Sequence, residues 1–227
     1  MRKLLTLTLC VPSFAPALLA QKKEAERLDN SAKVLEEILA SDKGLNKQIL
    51  NQARCMLIYP SVKKVAVGFG SSYGRGALVC RSGKTMKGKW GAPVMYSLDQ
   101  QSLGVQLGST ATDLVLVVVS QKGVDQILNG KAKLGSDAAA VAGPTGAQAS
   151  SYNAQAMNVD VLTYSRSKGL FAGVSLSGAT LDADKDANKA LYGKEVGAVE
   201  IVQGNLPIVP AAKPLVDLLD KQSPAAK

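Results

Sequence analysis

The chain has 227 residues, of which 46% are hydrophobic and 20% are charged, and its net charge is +9. This length fits one large domain, and the hydrophobic content excludes a disordered chain. Histidine is absent, so the commonest general base and the commonest metal-binding side chain are both excluded. The basic surplus suits an anionic partner, or it serves only to keep the protein in solution.

The first twenty residues have the pattern of a secretory signal peptide. Arg2 and Lys3 precede an apolar stretch, and small residues then allow cleavage after Ala17 or Ala20. The stretch is too short to span a bilayer. We expect an exported protein, periplasmic or envelope-associated, whose mature part, residues 21–227, is one domain. Without the signal peptide, 25 basic and 18 acidic residues leave a net charge of +7.

Two helices are predicted at the start of the mature chain. In residues 22–39 apolar side chains recur every three or four positions, which is typical of an amphipathic helix, and acids and bases mix on its polar face. A second helical stretch covers residues 45–56. The apolar side of the first helix either inserts shallowly into a membrane surface or packs permanently on the rest of the domain.

The hydrophobic period then changes to two, which predicts β-strands separated by turns at residues 70–74, 99–101 and 108–109. The predicted strands cover residues 56–59, 65–69, 76–80, 90–98, 102–107, 113–119, 159–164, 170–181 and 196–202. Residues 114–119 are apolar on both faces, so their strand should be central in the sheet.

The second half of the chain alternates strands with short helices. We expect helices at residues 122–129, 184–192 and 214–221, a turn region with one strand at residues 135–151, and a loose tail at 223–227. The predicted fold class is α+β: a mostly antiparallel sheet or barrel, with an N-terminal helical pair and short helices towards the C-terminal end.

Two cysteines, Cys55 and Cys80, remain after removal of the signal peptide. In an oxidising compartment an even pair often forms a disulfide. Cysteines on neighbouring strands also serve as small buried apolar side chains. The residues do not decide between these alternatives, and we expect the reduced, buried form.

Three patterns resemble chemical sites, and each has a simpler structural interpretation. Residues 68–76 resemble a phosphate-binding loop, but extended residues follow them, so a hairpin turn is predicted. Residues 182–193 carry acids at calcium-loop positions but lack the required glycine and final glutamate, so they predict a helix start. Asp113 and Asp137 either pair as carboxylates or accept hydrogen bonds from turn backbone, which we favour. No catalytic residue, metal or cofactor is predicted.

Several separate motifs resemble the SYLF domain, a lipid-binding module, and they occur in its order. They are residues 74–81 (GRGALVCR), 88–93 (GKWGAP), 111–117 (ATDLVLV), 134–137 (LGSD) and the C-terminal signature at 165–193. The resemblance covers residues 32–204. It implies binding of membrane phosphoinositides through a basic N-terminal segment and, in fungal members, binding and bundling of actin.

A membrane role would depend on basic side chains, each of which contributes on the order of 1 kcal/mol near an anionic surface. Trp90 and Tyr73 should lie at the water–lipid boundary, which aromatic rings favour. The predicted lipid-binding residues are Lys22, Lys23, Arg27, Lys63, Lys64, Arg75, Arg81, Lys84, Lys87, Lys89 and Trp90.

The sequence therefore predicts a non-enzymatic protein that binds anionic phospholipid, with phosphoinositide-like headgroups as the implied ligands. Nucleic acid is not expected, because aromatic residues do not interleave with the basic ones. Actin is not expected either, since an exported protein would not ordinarily meet it. The alternative is a structural or protein-interaction module of the envelope without a lipid ligand. The sequence leaves the headgroup and the oligomeric state open.

Overall fold

The structure is a computed structural model that describes residues 15–41, 44–144, 153, 158–167, 170–173, 176–204 and 206–225. These residues form six α-helices, α1 (Ala15–Ala40), α2 (Lys47–Gln52), α3 (Gln121–Leu128), α4 (Lys185–Tyr192), α5 (Ala198–Gln203) and α6 (Lys213–Gln222), and a short 3-10 helix at Pro210–Ala212. The strands of the described part are β1 (Cys55–Cys80), β2 (Val94–Val118), β3 (Ala132–Lys133), β4 (Ala140–Ala142), β5 (Val161–Ser167), β6 (Leu170–Gly173) and β7 (Thr180–Ala183). The predicted α+β class is confirmed.

A long ribbon of two strands, β1 and β2, forms the framework of the sheet. The two strands pair antiparallel from Cys55 opposite Val118 to Leu78 opposite Val94. The other edge of β2 pairs with β7 near its start and with β5 near its end. Strand β3 adds to β7, β6 pairs antiparallel with β5, and β4 lies parallel to β5. The sheet is therefore mostly antiparallel, as predicted.

Strand β1 curls so far that its two ends meet. The N–H of Arg81, just after the strand, donates to the carbonyl of Arg54, just before it, at 2.8 Å. Cys55 and Cys80 form a disulfide across the same junction. The expectation of reduced cysteines is wrong, because the curl joins opposite ends of one strand that are 25 positions apart in the sequence. The result is a strongly curved, half-barrel sheet.

The turns predicted inside this ribbon do not occur. Strand β1 continues through residues 70–74, so the hairpin turn predicted at residues 68–76 is wrong. Strand β2 likewise continues through residues 99–101 and 108–109. Register shifts interrupt the pairing of β1 instead. In a long curved ribbon, glycines mark bulges and close approaches rather than chain reversals.

Two predicted strands in the second half also differ. Residues 196–202 contribute to helix α5, whose N-cap is Gly197 and whose first turn carries Glu200 near the positive end of the helix. Residues 170–181 form two strands, β6 and β7, because a turn at Gly178, with φ of +84°, separates them. The helices predicted at 122–129, 184–192 and 214–221 are confirmed to within one residue at each end.

Apolar side chains fill both faces of the sheet. Val115 and Val117 of β2 pack in one core with α1, α2, α4 and α6. Leu114 and Leu116 point the opposite way and pack in a second core with α3 and α5. The central position predicted for residues 114–119 is confirmed, because this part of β2 pairs with β1 on one edge and with β5 on the other.

Helix α1 packs on the sheet along its apolar side. Leu28, Leu35 and Ile38 are fully buried in the first core, so in this fold the apolar side of α1 packs on the rest of the domain. Both predicted cleavage positions fall within α1, and residues 1–14 lie outside the described part. Over the residues described, no helix has both the length and the apolar content needed to cross a bilayer.

Candidate functional site

A groove of about 460 Å³ lies between α1 and the curled part of β1. We call it the basic groove, because four of its lining residues are cations and one is an acid. The lining residues are Lys23, Glu26, Arg27 and Asn30 from α1, and Pro60, Ser61, Lys63, Tyr73, Gly74 and Arg75 from β1. Four of the eleven residues predicted to bind lipid therefore converge here, from three separate segments of the chain.

The helical wall of the basic groove is one stripe of α1. Its residues follow each other at intervals of three and four, which places them on one face of a helix. The stripe that carries Leu28 and Leu35 is buried against the sheet. Burial of this apolar stripe sets the rotation of α1 and turns Lys23, Glu26 and Arg27 towards the groove.

The wall formed by β1 depends on a close approach between two arms of that strand. A Cβ atom at Gly74 would lie 2.7 Å from Cγ2 of Val62. A Cβ atom at Gly76 would lie 2.1 Å from a backbone carbonyl oxygen of the facing arm. Only glycine permits such approaches. They place residues 73–75 beside residues 61–63, so both arms line one groove.

Arg75 is fixed by three contacts at the edge of the basic groove. Its Nε donates a hydrogen bond to the hydroxyl of Tyr73, and its guanidinium carbon lies 5.8 Å from the centre of that ring. Its NH1 forms an ion pair with Oδ2 of Asp184 at 3.4 Å. The hydrogen bond to Tyr73 raises the pKa of Arg75. About 39% of the side chain is exposed, so a fixed, charged guanidinium faces the solvent.

Arg27 is held in a comparable way from the helical side. It forms an ion pair with Glu24, which is only 3% exposed. Lys23 and Lys63 are exposed. Two planar guanidinium groups and two flexible ammonium groups are suited to phosphate oxygens, because guanidinium offers paired donors and ammonium a compact charge. In the described part of the chain, no group of three or more His, Cys, Asp or Glu side chains could hold a metal ion.

Five other predicted lysines lie outside the basic groove. Lys22 is exposed on α1, and Lys64 is half-buried on β1. Lys84, Lys87 and Lys89 are exposed on the loop between β1 and β2, residues 81–93, which we call the β1–β2 loop. Four of the predicted cations therefore line the groove and three lie on the loop, while Lys22 and Lys64 belong to neither group.

Arg81 and Trp90 do not face the solvent. Arg81 is 4% exposed and Trp90 is 2% exposed, and the guanidinium lies 4.3 Å from the ring centre. Arg81 donates to the carbonyl oxygens of Ala53 at 3.0 Å, Gly88 at 3.1 Å and Ser223 at 2.9 Å. Burial lowers the pKa of Arg81. The structure corrects both assignments, because this pair joins the end of β1 to the C-terminal segment.

The same contacts correct the predicted loose tail. Ser223 is buried, and its carbonyl also accepts a hydrogen bond from Nε1 of Trp90 at 3.0 Å. The carbonyl of Pro224 accepts from Arg81 at 3.3 Å. Residues 226–227 lie outside the described part.

Asp137 accepts a hydrogen bond from the nearby N–H of Lys133 at 2.8 Å, as favoured from the sequence. Asp113 instead accepts from the N–H of Ser61 in β1 at 2.8 Å and forms an ion pair with Arg166. Asp184 is the N-cap of α4, so the predicted helix start is confirmed.

Comparison with known proteins identifies the family. Residues 99–222, more than half of the chain, match the Ysc84 family, described as "Las17-binding protein actin regulator". The chain belongs to this family. The resemblance to SYLF domains is therefore confirmed.

Relatives of the Ysc84 family with known names come from fungi and animals. Protein YSC84 of Saccharomyces cerevisiae is 29% identical over 210 residues, which cover 91% of this chain and 44% of that protein. The SH3 domain-containing protein PJ696.02 of Schizosaccharomyces pombe is 29% identical over 209 residues, 91% of this chain and 48% of that protein. SH3 domain-containing YSC84-like protein 1 of Homo sapiens is 30% identical over 206 residues, which cover 88% of this chain and 58% of that protein. The chain spans about half the length of the curated relatives it matches.

The descriptions of the Ysc84 family concern binding and regulation, which agrees with a binding protein rather than an enzyme. They give no support to the expectation that actin is not a partner, because the family is described as an actin regulator. The basic groove, formed by residues 23–75, lies outside the matched segment 99–222.

Sequence reasoning missed part of the site in this Ysc84-family chain. Asn30 and Ser61 line the groove but were not predicted as binding residues, and the buried Glu24 behind Arg27 was not predicted either. The spacing of Glu24 and Arg27, three positions apart on a helix, was a usable signal for an ion pair. Nothing in the sequence indicated that Ser61 and Arg75 line the same groove, since this depends on the curl of β1.

Proposed function

We propose that this protein binds anionic phospholipid at a membrane surface, and that the headgroup phosphate docks in the basic groove. The observation that carries the proposal is the convergence of Lys23, Arg27, Lys63 and Arg75 on one groove. Phosphate groups are recognised by such mixtures of guanidinium and ammonium donors. Each cation near an anionic surface contributes on the order of 1 kcal/mol.

Membrane contact in this proposal is peripheral. The apolar side of α1 stays in the core, so attraction is electrostatic, and Tyr73, 41% exposed, is the aromatic side chain at the groove that suits the water–lipid boundary. We also propose export to the periplasm or envelope, which rests on the charged and apolar start of the sequence.

Co-sedimentation with vesicles tests the proposal through two variants of equal charge. Lys23→Ala/Lys63→Ala removes two exposed groove cations, and Lys84→Ala/Lys87→Ala removes two exposed loop cations. With phosphatidylglycerol vesicles at low salt, we expect the groove variant to bind at least about tenfold more weakly and the loop variant to bind within about twofold of the wild type.

Three results would contradict this proposal. Equal losses in both variants would mean that overall charge, and not the groove, drives binding. Equal pelleting with neutral phosphatidylcholine vesicles would show that the attraction is not electrostatic. If the wild type did not pellet with any vesicles, the proposed lipid binding would be wrong.

The second candidate function is a protein-interaction module. It is favoured by the packing of α1 in the core and by the description of the family as a Las17-binding actin regulator. In that case the folded, purified protein would not bind anionic vesicles and would instead co-sediment with filamentous actin. Both measurements use the same centrifugation assay, so one series of experiments distinguishes the candidates.

A further inference from the structure

Two buried carboxylates lie behind the arginines of the basic groove. Glu24 of α1 is 3% exposed and forms an ion pair with Arg27. Asp184, at the start of α4, has a side chain that is 9% exposed, and its Oδ2 lies 3.4 Å from NH1 of Arg75. Each groove arginine is therefore held from the interior by an acid that does not itself line the groove.

These two acids have different roles in the local structure. Oδ1 of Asp184 accepts the N–H of Ala187 at 3.1 Å and caps α4, while its Oδ2 is buried without a hydrogen-bond partner. Glu24 caps no helix. The charged groups that face Glu24 are Lys23 and Arg27 from α1, Arg75 from β1 and Asp184 from α4. Its negative charge thus lies among three cations that line the groove.

We propose that Glu24 regulates the basic groove by taking up a proton. When Glu24 is neutral, its negative charge no longer partly cancels the positive charges of Arg27 and its neighbours, and these cations hold phosphate more strongly. This inference rests on the proposed function, since it concerns the same groove and ligand class. It predicts that mild acidification strengthens attachment to anionic phospholipid.

The direction of this pH effect follows from the surroundings of Glu24. Burial raises the pKa of this carboxyl, Arg27 opposes the rise, and the carboxylate of Asp184 adds to it. A carboxyl whose pKa is raised becomes neutral at a higher pH than usual. The phosphodiester of phosphatidylglycerol keeps its charge over the same mildly acidic range, so any change in binding arises on the protein.

The test measures binding of the full chain to phosphatidylglycerol vesicles between pH 7.5 and pH 5. We expect wild-type affinity to rise on acidification by up to about fivefold, the effect of one charge near an anionic surface. Glu24→Gln keeps the size of the side chain and an oxygen that accepts from Arg27. It should bind strongly at both pH values, with a change of less than about twofold.

Two further variants separate regulation from a general charge effect. Glu26→Gln removes an exposed carboxylate from the same groove, so it should strengthen binding yet retain the acid response. Asp184→Asn can keep the helix cap, because an amide oxygen also accepts hydrogen bonds, and it removes the charge that raises the pKa of Glu24. It should therefore move the midpoint of the acid response to lower pH.

The outcomes separate this inference from the function on which it rests. If Glu24→Gln responds to pH as the wild type does, the inference is wrong and lipid binding in the groove still stands. If the wild type binds at neither pH, the proposed function fails and the inference with it. Should Glu24→Gln not fold, the midpoint of Asp184→Asn decides: an unchanged midpoint overturns the inference, and a lowered one supports it.

Discussion

Two arginine–aromatic pairs lie close together in the sequence and have opposite surroundings. Arg75 contacts Tyr73 at 5.8 Å, at the edge of an open groove. Arg81 contacts Trp90 at 4.3 Å, inside the protein. In the first pair the guanidinium keeps donors for a ligand, whereas in the second its donors are used by backbone carbonyls. The same two residue types therefore serve binding in one place and stability in the other, and burial decides which.

Removing the aromatic ring of the buried pair should have the largest effect on stability. We expect Trp90→Ala to lower the free energy of unfolding by about 3–5 kcal/mol, as for other large buried side chains. Urea denaturation followed by circular dichroism measures the change. Protein that remains folded should still bind phosphatidylglycerol vesicles like the wild type. A loss below about 1 kcal/mol would show that this pair is not structural.

The disulfide beside the buried pair should have the next largest effect. Cys55 and Cys80 close a segment of the chain with a sequence separation of 25, for which restriction of the unfolded chain gives roughly 3–4 kcal/mol. Urea denaturation with and without dithiothreitol measures the loss. Mass spectrometry of the unreduced protein provides the control, since two free thiols there would contradict the disulfide.

The smallest effect on stability is expected for the ring of the open pair. Tyr73→Ala removes an exposed side chain, so the free energy of unfolding should change by less than about 1 kcal/mol. Binding to anionic vesicles should weaken by about twofold, because Arg75 loses its hydrogen bond and ring contact. If Tyr73→Ala destabilised the protein as much as Trp90→Ala, the distinction between the pairs would disappear.

Features set by neighbours in the sequence were predictable. The apolar spacing of residues 22–39 predicted α1, and two-sided hydrophobicity predicted the central strand at residues 114–119. Asp184 was expected at a helix start and caps α4. In each case the signal and the structure lie within a few residues of each other.

Features set by the curl of β1 were not predictable. Gly74 and Gly76 resemble turn residues in the sequence, but they permit contact with an arm of the strand about a dozen or more residues away. The burial of Arg81 depends on Ser223, which is 142 positions further along the chain. Local patterns therefore did not distinguish among the eleven candidate lipid-binding residues. The fold shows which of them line the groove, which lie elsewhere and which are buried.

Hydrogen exchange measured by mass spectrometry, with and without phosphatidylglycerol vesicles, tests the central claim most directly. Without lipid, residues 28–38 of α1 should already be protected, because that side of the helix is buried. Adding vesicles should increase protection at residues 22–27 and 71–75, which border the basic groove, and leave residues 82–89 of the β1–β2 loop unchanged. Protection gained on the loop but not at the groove would contradict the account.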